Sequence, residues 1–367
     1  MKLSPLFIFA PGKLAGAERM VISALTALEE LQMKPIIIII KETRSPELAD
    51  DFSRLLPDTI EKVFLTTTSA TDFRFISQIK DFVLARHETF IVHTHGYKAL
   101  FGTYSLPKSV KRVHTHHGNT SQNLKVKFYE FLAEILMKRC DHIFVLSKEM
   151  MRYFLGNGYK ADMLTYTPNM LSLKNIKNLI SERKSITRNE ERLSLLYLGR
   201  LSPEKGILFM IELFKDYEIQ RNFKLEVVGD GIEREIAEKF VGNNKLEKSI
   251  TFHGFQNDPI PYLLKADALV QPSLTEGMPM TLIESLALGI PVLANPVGAI
   301  PELIENHKNG LLTDIENSDV WKKALIELKN NYREIKETTE SNQKEFIQNF
   351  SPNKWAKKTL EVYQNLK

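Results

Sequence analysis

The chain has 367 residues, beyond the length of about 250 to 300 at which one hydrophobic core stops growing, so two domains are expected. With 43% hydrophobic and 26% charged residues, it has the balance of a folded globular protein and not of a disordered or fibrous one. Its formal net charge of +4 is spread along the chain without basic runs, which argues against nucleic acid as a partner and leaves an anionic ligand or an anionic membrane surface.

From the N-terminus, the apolar stretch Leu6 to Ala10 stops at Pro11 and Gly12, short of a signal-peptide core. The five isoleucines from Ile36 to Ile40 fall far below the roughly 20 residues of a membrane helix and read as one buried strand. Further strands are expected at Lys62 to Leu65, Thr89 to His93, Arg112 to Thr115, His142 to Leu146 and Met163 to Tyr166. Amphipathic stretches between them predict helices over Ala17 to Gln32, Ala70 to Arg86, Leu124 to Arg139 and Lys148 to Leu155, the last capped by Ser147. The single cysteine, Cys140, rules out an intrachain disulfide, favours a reducing compartment and reads as a small buried apolar residue.

From Leu173 to Arg192 the apolar periodicity gives way to Asn, Lys, Ser, Arg and Glu, so an interdomain linker is placed at 173–192. Alternation resumes with expected strands at 193–199, 224–229, 250–254, 268–272 and 291–294. Strands alternating with helices in both halves predict two doubly wound α/β domains, which bind ligands beyond the carboxyl ends of their strands.

The residues just after those strands therefore carry the chemistry. GRLSPEKG, at 199–206, places Arg200 and Lys205 on a strand-to-helix loop, where a guanidinium fork and an ammonium can neutralise a diphosphate without a metal. VGDG, at 228–231, offers Gly229 as a point of close approach to the backbone. In PSLTEGMPMTLIESLALGIPVLA, at 272–294, Glu276 falls in a loop and Glu284 in the following helix, with seven residues between them. Gly277, Met278, Pro279 and Met280 turn into that helix, whose first N–H groups and dipole suit an anion. Glu284, about two turns in, is costly to bury unless bonded, and two ribose hydroxyls would bond it. Taken singly, each segment is also explained as surface charge, a plain turn or a capped helix.

Five histidines fall in HTHG at 93–96 and HTHHG at 114–118. His-x-His at a strand end can chelate a metal, but carboxylate or cysteine co-ligands are absent at supporting spacings.

Together these segments resemble the family-four retaining glycosyltransferases of glycosyl transferases group 1, and the resemblance covers nearly the whole chain. It implies the GT-B fold, two Rossmann-like domains facing across a cleft. The acceptor-side domain would span 1–172, with a C-terminal helix at 352–367 packing back on it, and the nucleotide-sugar domain 193–351. The resemblance assigns Glu276 to the hydroxyls of the transferred sugar, Glu284 to the ribose, Arg200 and Lys205 to the diphosphate, and the turn after Glu276 to the phosphates through its backbone. LAGAER, at 14–19, is similar to the glycine-rich loop over the donor phosphate, with Ala15 and Gly16 in place of two glycines. PVGAIPELI, at 296–304, looks like the loop before a second-domain helix, and TPNMLS, at 167–172, like an interdomain segment with Met170 where glycine is usual. His117, with His116 as the neighbouring alternative, matches the histidine that faces the sugar's hydroxymethyl group, and His95 another site-lining position.

The implied activity is retaining transfer from a nucleotide-diphosphate sugar, expected to be UDP-linked, to a saccharide or lipid-linked saccharide, in bacterial lipopolysaccharide or capsule synthesis. His117, Glu276, Arg200 and Lys205 form the expected catalytic set, with no metal or other cofactor. The expected location is cytoplasmic, with peripheral contact to anionic membrane through the helix at 124–139. Competing readings are a sugar-nucleotide epimerase or phosphorylase, a non-catalytic nucleotide-sugar-binding subunit, and a metal-dependent hydrolase built on the histidines.

Overall fold

The computed structural model describes residues 3–68, 72–118, 124–187 and 191–366. The helix start expected at Ala70, positions 188–190 of the expected linker, and the side chains of Lys125, Val126, Lys127, Phe128 and Tyr129 lie outside the described residues. The chain forms two compact units, 1–172 with 350–367, and 173–349.

In the first unit, β1 (Leu3–Phe9), β2 (Ile36–Glu42), β3 (Glu61–Thr67), β4 (Thr89–His95), β5 (Lys111–His116), β6 (His142–Val145) and β7 (Leu164–Tyr166) make one sheet in the order β3-β2-β1-β4-β5-β6-β7. All neighbours are parallel. The connections carry α1 (Gly16–Glu30), α2 (Pro46–Arg54), α3 (Arg74–Leu84), α4 (Tyr97–Gly102), α5 (Leu124–Met137) and α6 (Lys148–Gly156). A parallel sheet covered on both faces needs apolar residues at every central position, which explains the unbroken isoleucine run. Alternate side chains go to opposite layers. Phe7, Phe9, Ile37 and Ile39 pack with Met20, Val21 and Leu25 of α1, while Leu6, Ile8, Ile36, Ile38 and Ile40 pack with Phe75, Ile79 and Val83 of α3. Helix α6 starts at the cap expected for it, Ser147 Oγ accepting from the Met150 amide at 3.0 Å.

Helices α2 and α4 have no counterpart in the sequence reading. Each is short, and α2 buries only Ala49 and Phe52, too few positions to mark a helical period.

In the second unit, β8 (Leu193–Leu198), β9 (Phe223–Val228), β10 (Ile250–Gly254), β11 (Ala268–Gln271), β12 (Val292–Ala294) and β13 (Gly310–Leu312) form a parallel sheet ordered β10-β9-β8-β11-β12-β13. Its helices are α7 (Ile176–Ser185), α8 (Ile207–Leu213), α9 (Tyr217–Asn222), α10 (Arg234–Asn243), α11 (Ile260–Lys265), α12 (Met280–Ala287), α13 (Ile300–Leu303), α14 (Ser318–Asn330) and α15 (Tyr332–Asn349). Strand β13 escapes a sequence reading because it is three residues long and begins at a glycine. Residues 173–192 carry α7, whose Arg183 Nη1 donates to the carbonyls of Leu264 and Ala266 at 2.8 and 2.7 Å and so caps the end of α11.

The strand order reverses between β1 and β4 in one unit and between β8 and β11 in the other. Loops leaving those four strands diverge to opposite faces, so the crevice at each switch point is where a ligand fits.

The last helix, α16 (Pro352–Asn365), belongs to the first unit. Trp355 and Ala356 pack with β1 and α1, and Val362 and Tyr363 with Ile91, Val113 and Phe144. Trp355→Ala is expected to lower the stability of this unit by about 3–5 kcal/mol, read from chemical denaturation. Unchanged stability would show that α16 is not part of its core.

Candidate active site

In the second unit, the loop after β8 runs Gly199, Arg200, Leu201, Ser202 and then a short turn, Pro203–Lys205. It is laced to the loop after β9, with the Gly199 amide donating to the Val228 carbonyl and the Leu201 amide to Asp230, both at 3.0 Å. Gly229 permits this closeness, since its φ is 143° and a Cβ there would lie 1.8 Å from the Gly199 carbonyl oxygen. The glycine expected to admit a ligand is thus already required by the chain itself. Below the loop, the Tyr197 hydroxyl donates to the Arg200 carbonyl at 3.0 Å. Burial, then the charges of Glu276, Glu233 and Glu204, hold this phenol well above its usual range.

Arg200 and Lys205 leave this loop differently. The Arg200 side chain is 70% exposed, and its guanidinium lies 4.0 Å from Glu204, too far for a strong pair. Lys205 turns inward, its Nζ donating to Glu276 Oε1 at 2.7 Å, with side-chain exposures of 22% and 6%. Gln271 Nε2 and Ser273 Oγ donate to the same oxygen at 2.6 and 2.7 Å.

The turn after Glu276 leads through Gly277, Met278 and Pro279 into α12 at Met280, and no side chain caps that helix. Its first-turn amides therefore face whatever lies before the helix. The turn is clamped from behind. The Ala299 amide donates to the Gly277 carbonyl at 2.9 Å, and Gly298, at φ 58°, sits where a Cβ would be 2.0 Å from the Glu276 carbonyl oxygen. Glu284 is the fifth residue of α12, one turn in and not two, and is 2% exposed.

In the first unit, the loop from β1 to α1 closes on its own carboxylate. Glu18 accepts from the Gly12 amide at 2.9 Å and the Ala15 amide at 3.1 Å, and Gly16 opens the helix. Beyond β5, His117 Nε2 meets His95 Nδ1 at 3.1 Å. His93 bonds the Tyr363 hydroxyl at 2.6 Å and Thr115 Oγ1 at 2.7 Å, and His114 meets Thr94 Oγ1 at 2.9 Å. His116 ends β5 with its ring edge-on to Phe154, leaving His117 the one of the pair that stands clear of the strand. Burial keeps all five rings neutral, lowering His93 to about 3 and His116 and His117 to about 4. Among the described residues, no three His, Cys, Asp or Glu side chains gather as a metal site.

The structure thus joins Lys205 to Glu276, leaves Arg200 apart, buries Glu284 one helical turn past the start of α12, and places Gly16 and His117 in the other unit. The sequence reading missed Gln271 and Ser273. A polar Gln closing the apolar run ALVQ was the available signal.

A model of Glycosyltransferase Family 4 matches residues 14–174, and a model of Glycosyl transferases group 1 matches residues 180–351. The chain belongs to the GT-B group 1 glycosyltransferases. An Escherichia coli UDP-Gal:alpha-D-GlcNAc-diphosphoundecaprenol alpha-1,3-galactosyltransferase is 28% identical over 348 residues, covering 85% of this chain and 84% of its own. The Escherichia coli O-antigen biosynthesis glycosyltransferase WclY is 28% identical over 229 residues, 62% of each chain. Among solved structures, Anabaena HepE in complex with UDP and glucose matches with a TM-score of 0.79 at 19% identity over 99% of both chains, a likeness of fold.

The buried histidines give this glycosyltransferase a signature in acid. In the unfolded chain they take up protons below their ordinary value near 6.5, whereas in the fold they stay neutral until about 4 or lower. Their contribution to stability is complete above pH 6.5 and lost progressively as pH falls through that window. Thermal unfolding from pH 8 to 4 is expected to show a plateau followed by a fall. A melting temperature flat to pH 4.5 would contradict the burial of neutral rings.

Proposed function

We propose that this glycosyltransferase carries out retaining transfer from a UDP-linked sugar to a lipid-linked saccharide, in the synthesis of a bacterial surface polysaccharide. The observation that carries the donor half is the meeting of Lys205 and Glu276 beside the uncapped start of α12, with Arg200 exposed on the same loop. Cation, helix dipole and carboxylate are what a nucleotide-diphosphate sugar requires along its length. The two guanidinium and ammonium groups and the α12 amides take up the diphosphate charge, so no metal is needed in this reading. Glu276 accepts from a hydroxyl of the transferred sugar and Glu284 from the ribose.

The route we favour is front-face. The bond from the anomeric carbon to the diphosphate oxygen breaks while the acceptor oxygen adds on the same face, and the acceptor proton passes to the departing phosphate oxygen. Charge develops on the leaving group, and Arg200 and Lys205 stabilise it there.

The choice of UDP draws on the galactosyltransferase relative and on HepE, each described with that nucleotide, and the lipid-linked acceptor on the same relative's diphosphoundecaprenol substrate. WclY supplies the link to surface polysaccharide. The C-terminal half of α5 fits work at a membrane surface, with Phe131 and Ile135 exposed just before Lys138 and Arg139. Among the described residues no helix is long and apolar enough to cross a membrane.

UDP is expected to raise the melting temperature where GDP does not, and Lys205→Ala and Arg200→Ala to weaken that shift. Glu276→Gln is expected to lower kcat/KM about 10²–10³-fold, and product NMR to show the donor's anomeric configuration retained, with activity undiminished in EDTA. Inversion at the anomeric carbon, or UDP binding unchanged in both alanine variants, would overturn this function. Separately, the protein is expected to sediment with anionic but not neutral liposomes at low salt, less so in Phe131→Ser. Equal recovery with both vesicle types would remove the membrane part.

A further inference from the structure

We infer that Gln271 is a positioning residue for the Glu276 carboxylate, pinning one of its oxygens so that the other is presented to the transferred sugar. This rests on the reading of Glu276 as a sugar contact.

Strand β11 is apolar up to its last residue, Ala268, Leu269 and Val270 being fully buried, and then ends in an amide side chain that is itself 7% exposed. An amide there is costly unless both its ends are bonded. Nε2 donates to Glu276 Oε1 at 2.6 Å and to Ser273 Oγ at 3.1 Å, while Oε1 accepts from Thr281 Oγ1 at 3.3 Å. A carboxylate only accepts, so the amide nitrogen must be the end that faces Glu276.

Lys205, Gln271 and Ser273 all donate to Oε1, and no described residue donates to Oε2. Three bonds on one oxygen fix the plane and reach of the carboxylate and leave its second oxygen for an outside donor, a sugar hydroxyl. The three are not equivalent. Lys205 is the one an anionic phosphate competes for, and once its ammonium is shared, the neutral donors keep the carboxylate in place. Ser273 has a short side chain, its backbone carbonyl accepting from Asn295 Nδ2 at 2.8 Å, and Gln271 supplies the reach.

The charged and titratable groups facing this carboxylate are Lys205, from the loop after β8, and the Tyr197 phenol of β8, on which Glu204 and Glu233 also act. None of them replaces an amide donor at Oε1. A donor at Oε1 stabilises the negative charge of the carboxylate, and a side chain that cannot donate gives that up.

Two variants test this in the transfer assay from pH 5 to 9. Q271M, similar in volume and unable to donate, is expected to lose about 10-fold in kcat/KM, and the acid limb of its profile to move to higher pH. Q271E keeps size and the acceptor toward Thr281 but turns the donor into a carboxyl. One acid of the adjoining pair then holds a proton, and that protonated acid donates as the amide did. Activity of Q271E is therefore expected to recover as pH falls and to decay as pH rises, a basic limb the parent lacks there. Profiles parallel to the parent's in both variants would overturn the inference. Should Q271E not fold, an unmoved acid limb in Q271M would overturn it alone. Glu276→Gln separates the two claims: parental activity in that variant sinks the reading of Glu276, whereas its inactivity beside parental Gln271 variants sinks only the inference.

Discussion

The contact on which the loops of the second unit turn is the one between Lys205 Nζ and Glu276 Oε1. It joins the loops leaving β8 and β11, the two strands on either side of the reversal in sheet order. A pair so little exposed is a poor way to gain stability, because stripping water from both charges costs about as much as their attraction returns. The cost is offset by two further donors, Gln271 and Ser273, and by the backbone lacing that holds both loops still. Such an arrangement makes physical sense where a ligand completes it; in the function proposed above, a diphosphate would meet the ammonium and a sugar hydroxyl the carboxylate.

The first unit treats the histidines of its central strands in the opposite way. Where the second unit keeps charges paired, the first keeps imidazoles neutral. His93, His95, His114 and His116 lie on parallel strands packed on both faces, so no water reaches them, and Tyr363, Thr115 and Thr94 take up ring nitrogens. A neutral imidazole donates at one nitrogen and accepts at the other. In the contact of His95 Nδ1 with His117 Nε2, the tautomer of one ring therefore dictates that of the other. The ring that stands clear of the strand is held by one that is fully buried.

Much of this was legible in the sequence because the strands are long, apolar and bounded by glycine or proline. The two doubly wound sheets and the loops that bear Arg200, Lys205 and Glu276 follow from that pattern; the order of the strands comes from the structure. Short elements escaped it: α2 and α4 bury too few side chains to show a period, and β13 is held by pairing with β12, which is a fact about distant residues. The turn into α12 at Met280 was legible as well, and Glu284 lies four residues beyond that start, one turn of helix and not two. The clamp behind the turn is what the sequence did not show.

That clamp explains how a spacing along the chain becomes a geometry in space. The interval from Glu276 to Glu284 consists of a turn and the start of a helix, and a turn alone has many shapes. It has one here because the backbone of Val297 to Ala299 lies against it, the Ala299 amide bonding Gly277 and Gly298 fitting under the Glu276 carbonyl, where any side chain would collide. The segment PVGAIPEL, which by itself reads as a helix start opened by proline, is thus the other half of the glutamate motif. The two carboxylates hold their relation only because a loop twenty residues further on, by rough count, forbids the alternatives that conformational freedom in the turn would otherwise allow.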